Sequence, residues 1–330
     1  MKTLFTRIIF IICTVYNVAH AEPGATDTVI FNLPITTLSG DTFTLGDYRN
    51  RQPVYLKFWA TWCQPCREEM PHLQRAFEKY GDRIKIVAVN IGINEDAKAI
   101  EATVREFGLT LPIAIDSSGQ LSKAFNMIGT PYHVLIDKAG NVVHHGHKAS
   151  EELDSKLAQL SDHQVTDLPG APLQHTAARL LNLNRRAGQL SALFFLSTWC
   201  DWYLKDTRPG MSANCTNAQQ LVNTLYKDTP QLNWQGIVSR LWTGNKELDT
   251  YKEKYHIAHP LAIDTSGDTF LEYGVKSLPT LILTKNGREI FRETDFSDPV
   301  TLANTIKQIA IQNADKETRN FPAFVNVVKR

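Results

Sequence analysis

Short apolar runs alternate along this chain with stretches in which apolar residues recur every three or four positions. Continuous runs bounded by turn residues read as buried strands, and the longer period reads as helices with one covered face. Val29 to Leu45 is strand-like, with a break at Ser39-Gly40-Asp41 that predicts a hairpin. Val54 to Phe58, Ile84 to Ile91, Pro112 to Ile115 and His133 to Ile136 read as further strands. Helical spacing links Met70, Leu73, Phe77 and Tyr80, then Ile100, Val104 and Phe107, then Leu121 to Phe125, and finally Leu153, Leu157 and Leu160. The turn Asp137-Lys138-Ala139-Gly140 leads into Val142-Val143 as a second hairpin. Strands alternating with helices and closing on a hairpin and a helix predict an α/β fold, a central mixed sheet flanked by helices.

The pattern then returns. Phe195-Leu196-Ser197-Thr198-Trp199-Cys200 matches Phe58-Trp59-Ala60-Thr61-Trp62-Cys63, and Ala262 to Gly267 matches Ala114 to Gly119. Pro279 matches Pro131, Lys285-Asn286-Gly287 repeats the hairpin turn, and Leu302, Ile306 and Ile309 repeat the closing helix. Self-similarity on this scale predicts duplication of a whole domain. The matches slip once, by about 11 residues between Cys200 and Asp264. Ser161 to Pro172 reads as a linker, so the predicted units are residues 22–163 and 164–330. Pro71 should kink the first unit's helix; the second unit has no counterpart.

The first 21 residues resemble a secretory signal: Lys2 and Arg7, then an apolar Ile8 to Ala19, then Ala19-His20-Ala21 with cleavage expected after Ala21. Cys13 would leave with it, which gives a mature chain of four cysteines in an oxidising, periplasmic setting. That chain carries 33 basic against 34 acidic side chains, which gives no electrostatic argument for nucleic acid.

The chemistry centres on Cys63-Gln64-Pro65-Cys66, placed where a strand turns into a helix. Unpaired N–H groups at a helix start favour a thiolate, the nucleophile of disulfide exchange. Cys66, one turn on, can attack a mixed disulfide at Cys63. Zinc would need four ligands, and no second C-x-x-C exists in the sequence.

Trp59-Ala60-Thr61-Trp62-Cys63-Gln64-Pro65-Cys66-Arg67-Glu68-Glu69-Met70-Pro71 resembles the thioredoxin-fold thiol–disulfide oxidoreductases of the TlpA/ResA-like type. The whole chain then reads as tandem thioredoxin-like folds. The resemblance implies an extra strand–helix unit over Ile84 to Ile115, and a cis bond at Thr130-Pro131 with Thr130 facing the cysteines. It implies exchange with protein substrates, a reducing role fed by a membrane thiol donor, and service to apocytochrome c or copper-site cysteines. Electrons pass between dithiols, so no metal or organic cofactor is required. Glu69 matches an acidic family position, where it could relay the proton of Cys66. Lys57 departs from the buried acid that thioredoxins usually carry six residues before the first cysteine. Trp62 would shield the nucleophile and contact substrate.

In the second unit, Cys215 stands next to the position expected for a resolving cysteine, with Asp201 to Asn214 read as a spliced loop. Cys200 and Cys215 are open to three readings: a second redox pair with Pro279 beside it, a static disulfide worth ~3 kcal/mol over about 15 residues, or metal binding and decayed thiols. His144, His145 and His147 read as an exposed strand end, with copper binding as the competing use. Phe321, Phe324, Val325, Val327 and Val328 make the tail too apolar to be free. The competing functions are an oxidant or isomerase, a copper-binding or scaffold protein, and a peroxidase. The last is weak, because Thr61 lies two rather than three residues before Cys63.

Overall fold

The computed structural model describes residues 30–162, 165, 168–173, 180–183 and 188–320; the expected export signal and the apolar tail from Phe321 onward lie outside them. The expected first hairpin forms but is short: β1 (Ile35–Thr36) pairs antiparallel with β2 (Thr42–Phe43). The first large sheet contains β3 (Val54–Trp59), β4 (Lys85–Asn90), β5 (Ile113–Ile115), β6 (Tyr132–Ile136) and β7 (Val142–Gly146), in the order β5-β4-β3-β6-β7. Central β3 runs parallel to β4 and antiparallel to β6, and all of its side chains are buried.

Helices α1 (Gln64–Glu68), α2 (Met70–Tyr80), α3 (Ala97–Glu106), α4 (Gln120–Ala124) and α5 (Glu151–Leu160) flank this sheet. The expected kink is a full break at Glu69, because Pro71 has no N–H to offer the carbonyl one turn back. Helix α3 starts on an Asp96 cap and α5 on a Ser150 cap, each accepting a backbone N–H. The described residues of the expected linker contact the first half. Ala171 N–H donates to Val142 O at 2.7 Å, and Val165, Leu168 and Leu173 pack on the first core.

The second sheet contains β8 (Leu190–Leu196), β9 (Asn233–Ser239), β10 (Leu261–Asp264), β11 (Thr280–Lys285) and β12 (Arg288–Glu293), in the order β10-β9-β8-β11-β12. It repeats the strand order and directions of the first. Its helices are α6 (Cys200–Tyr203), α7 (Pro209–Asp228), α8 (Asn245–Tyr255), α9 (Asp268–Glu272) and α10 (Pro299–Asn320). Corresponding elements start at Ala97 and Asn245, Ile113 and Leu261, Tyr132 and Thr280, and Glu151 and Pro299, a constant displacement of 148. Helices α2 and α7 end on the same displacement, so the inserted residues lie between Cys200 and the body of α7. Those residues are not the expected loop. Pro209 opens α7 at its first turn, where its missing N–H costs nothing, and Cys215 lies well inside the helix.

The two sheets' helical margins face each other in a near-symmetric contact. Asn94 N–H donates to Lys276 O at 2.8 Å, and Trp242 N–H donates to Ile128 O at 2.8 Å. These are the same two positions in each half, and Asn94 and Trp242 share left-handed φ values of 54° and 53°. The Asn94 side chain also brackets Leu278, accepting its N–H at 2.6 Å and donating to its carbonyl at 3.1 Å. Arg240 donates to Asn126 Oδ1 at 2.9 Å, and Lys123 pairs with Asp268. Trp199, Cys200, Leu204, Cys215 and Leu241 pack into the same apolar cluster as the first half's core.

Candidate active site at Cys63 and Cys66

Cys63 and Cys66 are joined as a disulfide at the top of α1, with Cα atoms 5.2 Å apart. Cys63 caps the helix: its Sγ accepts Cys66 N–H at 3.2 Å. A helix start of this kind stabilises negative charge on that sulfur once the bond is opened. Cys63 is 1 % exposed and Cys66 is fully buried. Thr130–Pro131 is cis, as is Leu278–Pro279 in the second half. Thr130 is buried, and its Oγ1 has no hydrogen-bond partner.

Beneath the cysteines lies a buried polar chain. Lys57, 0 % exposed in mid-strand, donates to Glu69 Oε2 at 2.9 Å. His133 on β6 lies with Nε2 at 3.1 Å from the same oxygen, and Tyr55 OH is 2.8 Å from His133 Nδ1. Burial lowers the His133 pKa, which favours neutral imidazole donating from Nε2 and accepting from Tyr55. Ala149 N–H donates to Glu69 Oε1 at 2.9 Å. Burial alone would raise Glu69, but the His133 bond, the Lys57 charge and the Ala149 N–H outweigh it and hold the carboxyl at about 2. Burial lowers the Lys57 pKa, against the pull of Glu69.

A second carboxylate, which the sequence pattern did not single out, fixes the turn before Cys63. Glu95 accepts Thr61 N–H at 2.5 Å, Thr61 Oγ1–H at 2.6 Å and Asn90 Nδ2–H at 3.1 Å. Its pKa is raised, by burial above all. Trp62 Nε1–H donates to Ile93 O at 2.8 Å, which locks the ring beside the nucleophile.

The AhpC/TSA family model matches residues 26–145. ResA, a thiol–disulfide oxidoreductase of Bacillus thuringiensis subsp. konkukian, is 33% identical over 133 residues, covering 39% of this chain and 75% of ResA. The chain belongs to the ResA-like thiol–disulfide oxidoreductases. The thioredoxin-like protein YneN of Bacillus subtilis is 36% identical over 126 residues, covering 37% of this chain and 73% of its own. The solved structure of StoA from Bacillus subtilis is 26% identical, covers 38% of this chain and 95% of its own, and has a TM-score of 0.34.

The matched family region stops short of the second sheet, yet that sheet builds part of the site on this ResA-like chain. The ring of Trp199 stacks on Trp62, with centroids 4.9 Å apart. Tyr203 OH accepts Gln64 N–H at 3.0 Å, and the Arg208 guanidinium donates to Thr61 Oγ1. The bonds around the second motif copy those of the first: Trp199 Nε1–H donates to Leu241 O at 2.8 Å, and Thr198 bonds Thr243 where Thr61 bonds Glu95. Cys200 and Cys215 are joined to each other, both buried, with Cα atoms 6.2 Å apart.

The histidines are not uniformly exposed, as the strand-end reading expected. His144 is buried and faces Glu152 at 3.6 Å, His145 is exposed, and His147 donates to Pro131 O at 2.9 Å. The alternation of β7 separates neighbouring side chains, and the strand lies on the sheet rather than beyond it. Among the described residues no group of three or more metal-binding side chains is found. Tyr203 and Arg208 were missed because they fall in the inserted segment, where no repeat guides the reading. The aromatic run Trp199-Cys200-Asp201-Trp202-Tyr203, directly after the matched motif, was the available signal.

Proposed function

We propose that this chain is an exported reductase of protein disulfides, with Cys63 as the attacking and Cys66 as the resolving cysteine. The observation that supports this most directly is Cys63 Sγ at the head of α1, accepting the Cys66 N–H. In the reduced protein the Cys63 thiolate attacks a partner S–S bond. A mixed disulfide forms, and one partner sulfur leaves as thiolate. Cys66 thiolate then attacks Cys63 Sγ, breaks the mixed bond and releases the second partner thiolate. Two electrons pass to the partner, whose thiolates take up the protons that Cys63 and Cys66 give up. A membrane dithiol donor closes the cycle, and apocytochrome c or copper-site cysteines are the proposed recipients. Trp62 and Thr130 line the same cavity as Cys63, and Pro131 follows Thr130 through the cis bond. Glu69, held ionised at about 2, is too weak a base to take a thiol proton efficiently, and its proposed role is to neutralise Lys57. Cys200–Cys215 is proposed as a static clip.

Thiol trapping in growing cells, with each cysteine peptide assigned by mass, tests the direction. Cys63 and Cys66 are expected mainly as thiols; finding them mainly as disulfide reverses the reading to an oxidant. In the same cells Cys66→Ser should accumulate mixed disulfides and Cys63→Ser none. Wild-type turnover by Cys63→Ser would remove the proposal altogether.

A further inference from the structure

Cys63 is nearly closed off from solvent, and it lines a cavity of about 580 Å³ that both halves build. Trp62 and Thr130 form one wall; Trp199, Trp202, Tyr203 and Trp242 form the other. The second wall is therefore aromatic and comes wholly from the half that lies beyond the matched family region. Two of its rings stand open at the mouth, Trp202 at 60 % and Trp242 at 46 % exposure.

Neither ring is loose. Trp202 Nε1–H donates to Thr198 O at 3.2 Å; the Trp242 ring packs on His147, with centroids 5.3 Å apart, and its backbone N–H donates to Ile128 O at 2.8 Å. Exposed tryptophans held rigid beside a reactive sulfur have the character of binding anchors, since little side-chain entropy remains to be lost on contact. At the floor, the Thr130 hydroxyl is buried without a partner, and a buried hydroxyl normally has one.

We infer that this slot reads the partner: it takes an apolar, preferably aromatic, side chain next to the target cysteine of an extended peptide. The inference rests on the exchange proposed at Cys63. Three features select that occupant. The floor presents the sulfur whose proposed exchange is with another sulfur, so the guest carries a cysteine. The volume lies in the range of small-ligand pockets, roughly 300–1,000 Å³, which admits a side chain and its adjoining backbone but not a folded surface. The walls offer ring faces; of the charges near the mouth, Lys254 pairs with Asp201 at 2.5 Å and Glu247 accepts Gly244 N–H at 2.9 Å, while Lys246 stands exposed at the rim. Trp202 and Trp242 act here as specificity-determining residues, and Thr130 offers its free hydroxyl to the guest's backbone.

The test uses the reduced full-length protein and two short disulfide-linked peptides, identical except that Phe or Gly flanks the cysteine. Wild type should prefer the Phe peptide by about tenfold in kcat/KM, carried mainly by KM, the scale on which apolar pockets discriminate. Trp202→Ala and Trp242→Ala should bring that ratio close to one, and Trp202→Phe should restore most of it. The wild-type ratio does not depend on any variant folding. Equal rates on the two peptides, or a preference retained in both alanine variants, overturn the slot alone. No reaction with either peptide overturns the exchange reading and the slot with it.

Discussion

Lys57 sits in the middle of a fully buried strand, where an ammonium without a counter-charge is strongly disfavoured. Glu69 supplies that charge from the break between α1 and α2, and His133 and Ala149 N–H complete the shell of the carboxylate. Removing one partner of such a pair typically costs 3–5 kcal/mol, so Glu69→Gln should lose about 3 kcal/mol by urea unfolding at pH 7. The pH dependence has a definite sign. The folded carboxyl lies at about 2 against its ordinary 4.5, so its contribution is complete above pH 4.5 and is lost as pH falls toward 2. Wild type should therefore destabilise across that interval by more than Glu69→Gln does; parallel profiles would show that Glu69 is not held low. Lys57→Met combined with Glu69→Gln should recover most of the loss, since the uncompensated charge is gone. The sequence showed that Lys57 breaks the thioredoxin pattern and that Glu69 was a candidate. It could not show that they meet, because the contact requires a helix break and a histidine from another strand.

At the level of elements, continuous apolar runs and the helical period located the strands and helices of the first sheet, and the repeat carried part of that reading into the second. The pattern failed where no covered face repeats. Asp201 to Asn214 shows no helical period and holds Pro209-Gly210, a pair common in turns; the structure uses the proline to open α7. Without a second proline α7 runs unbroken from Pro209 to Asp228, and Cys215 is carried to Cys200 by the helix rather than by a loop. A buried crosslink of this span constrains the unfolded chain by ~3 kcal/mol in the loop-entropy model. Cys200→Ser with Cys215→Ser should lower stability by about that amount while leaving thiol exchange at Cys63 measurable. Opening of the Cys200–Cys215 bond under the same mild reductant that opens Cys63–Cys66 would instead make it a second redox pair.

Across the whole molecule, the repeat was legible and the docking of its two copies was not. The residues that join the halves, Asn94 with Lys276 and Trp242 with Ile128, lie in connecting segments whose side chains follow no period. Their contact brings Trp199 onto Trp62, a stack worth ~0.5–1.5 kcal/mol beyond its buried area, and closes Cys63 from solvent. Gly129 lies close against that contact, for a Cβ placed there would lie 2.5 Å from the Trp242 ring. Gly129→Ala should therefore push the second half away from the first without touching either cysteine. The expected readout is alkylation of reduced Cys63, faster by about tenfold than in wild type, a gain of accessible population corresponding to ~1.4 kcal/mol. Trp242→Ala removes the obstructing ring, so adding Gly129→Ala to it should change the rate little further, and the two substitutions should be strongly non-additive. Additive effects would mean that Gly129 acts within its own half, through the chain leading to Thr130. Non-additivity would make the contact between Gly129 and Trp242 the control on access to the sulfur, so that the second half governs when Cys63 can react.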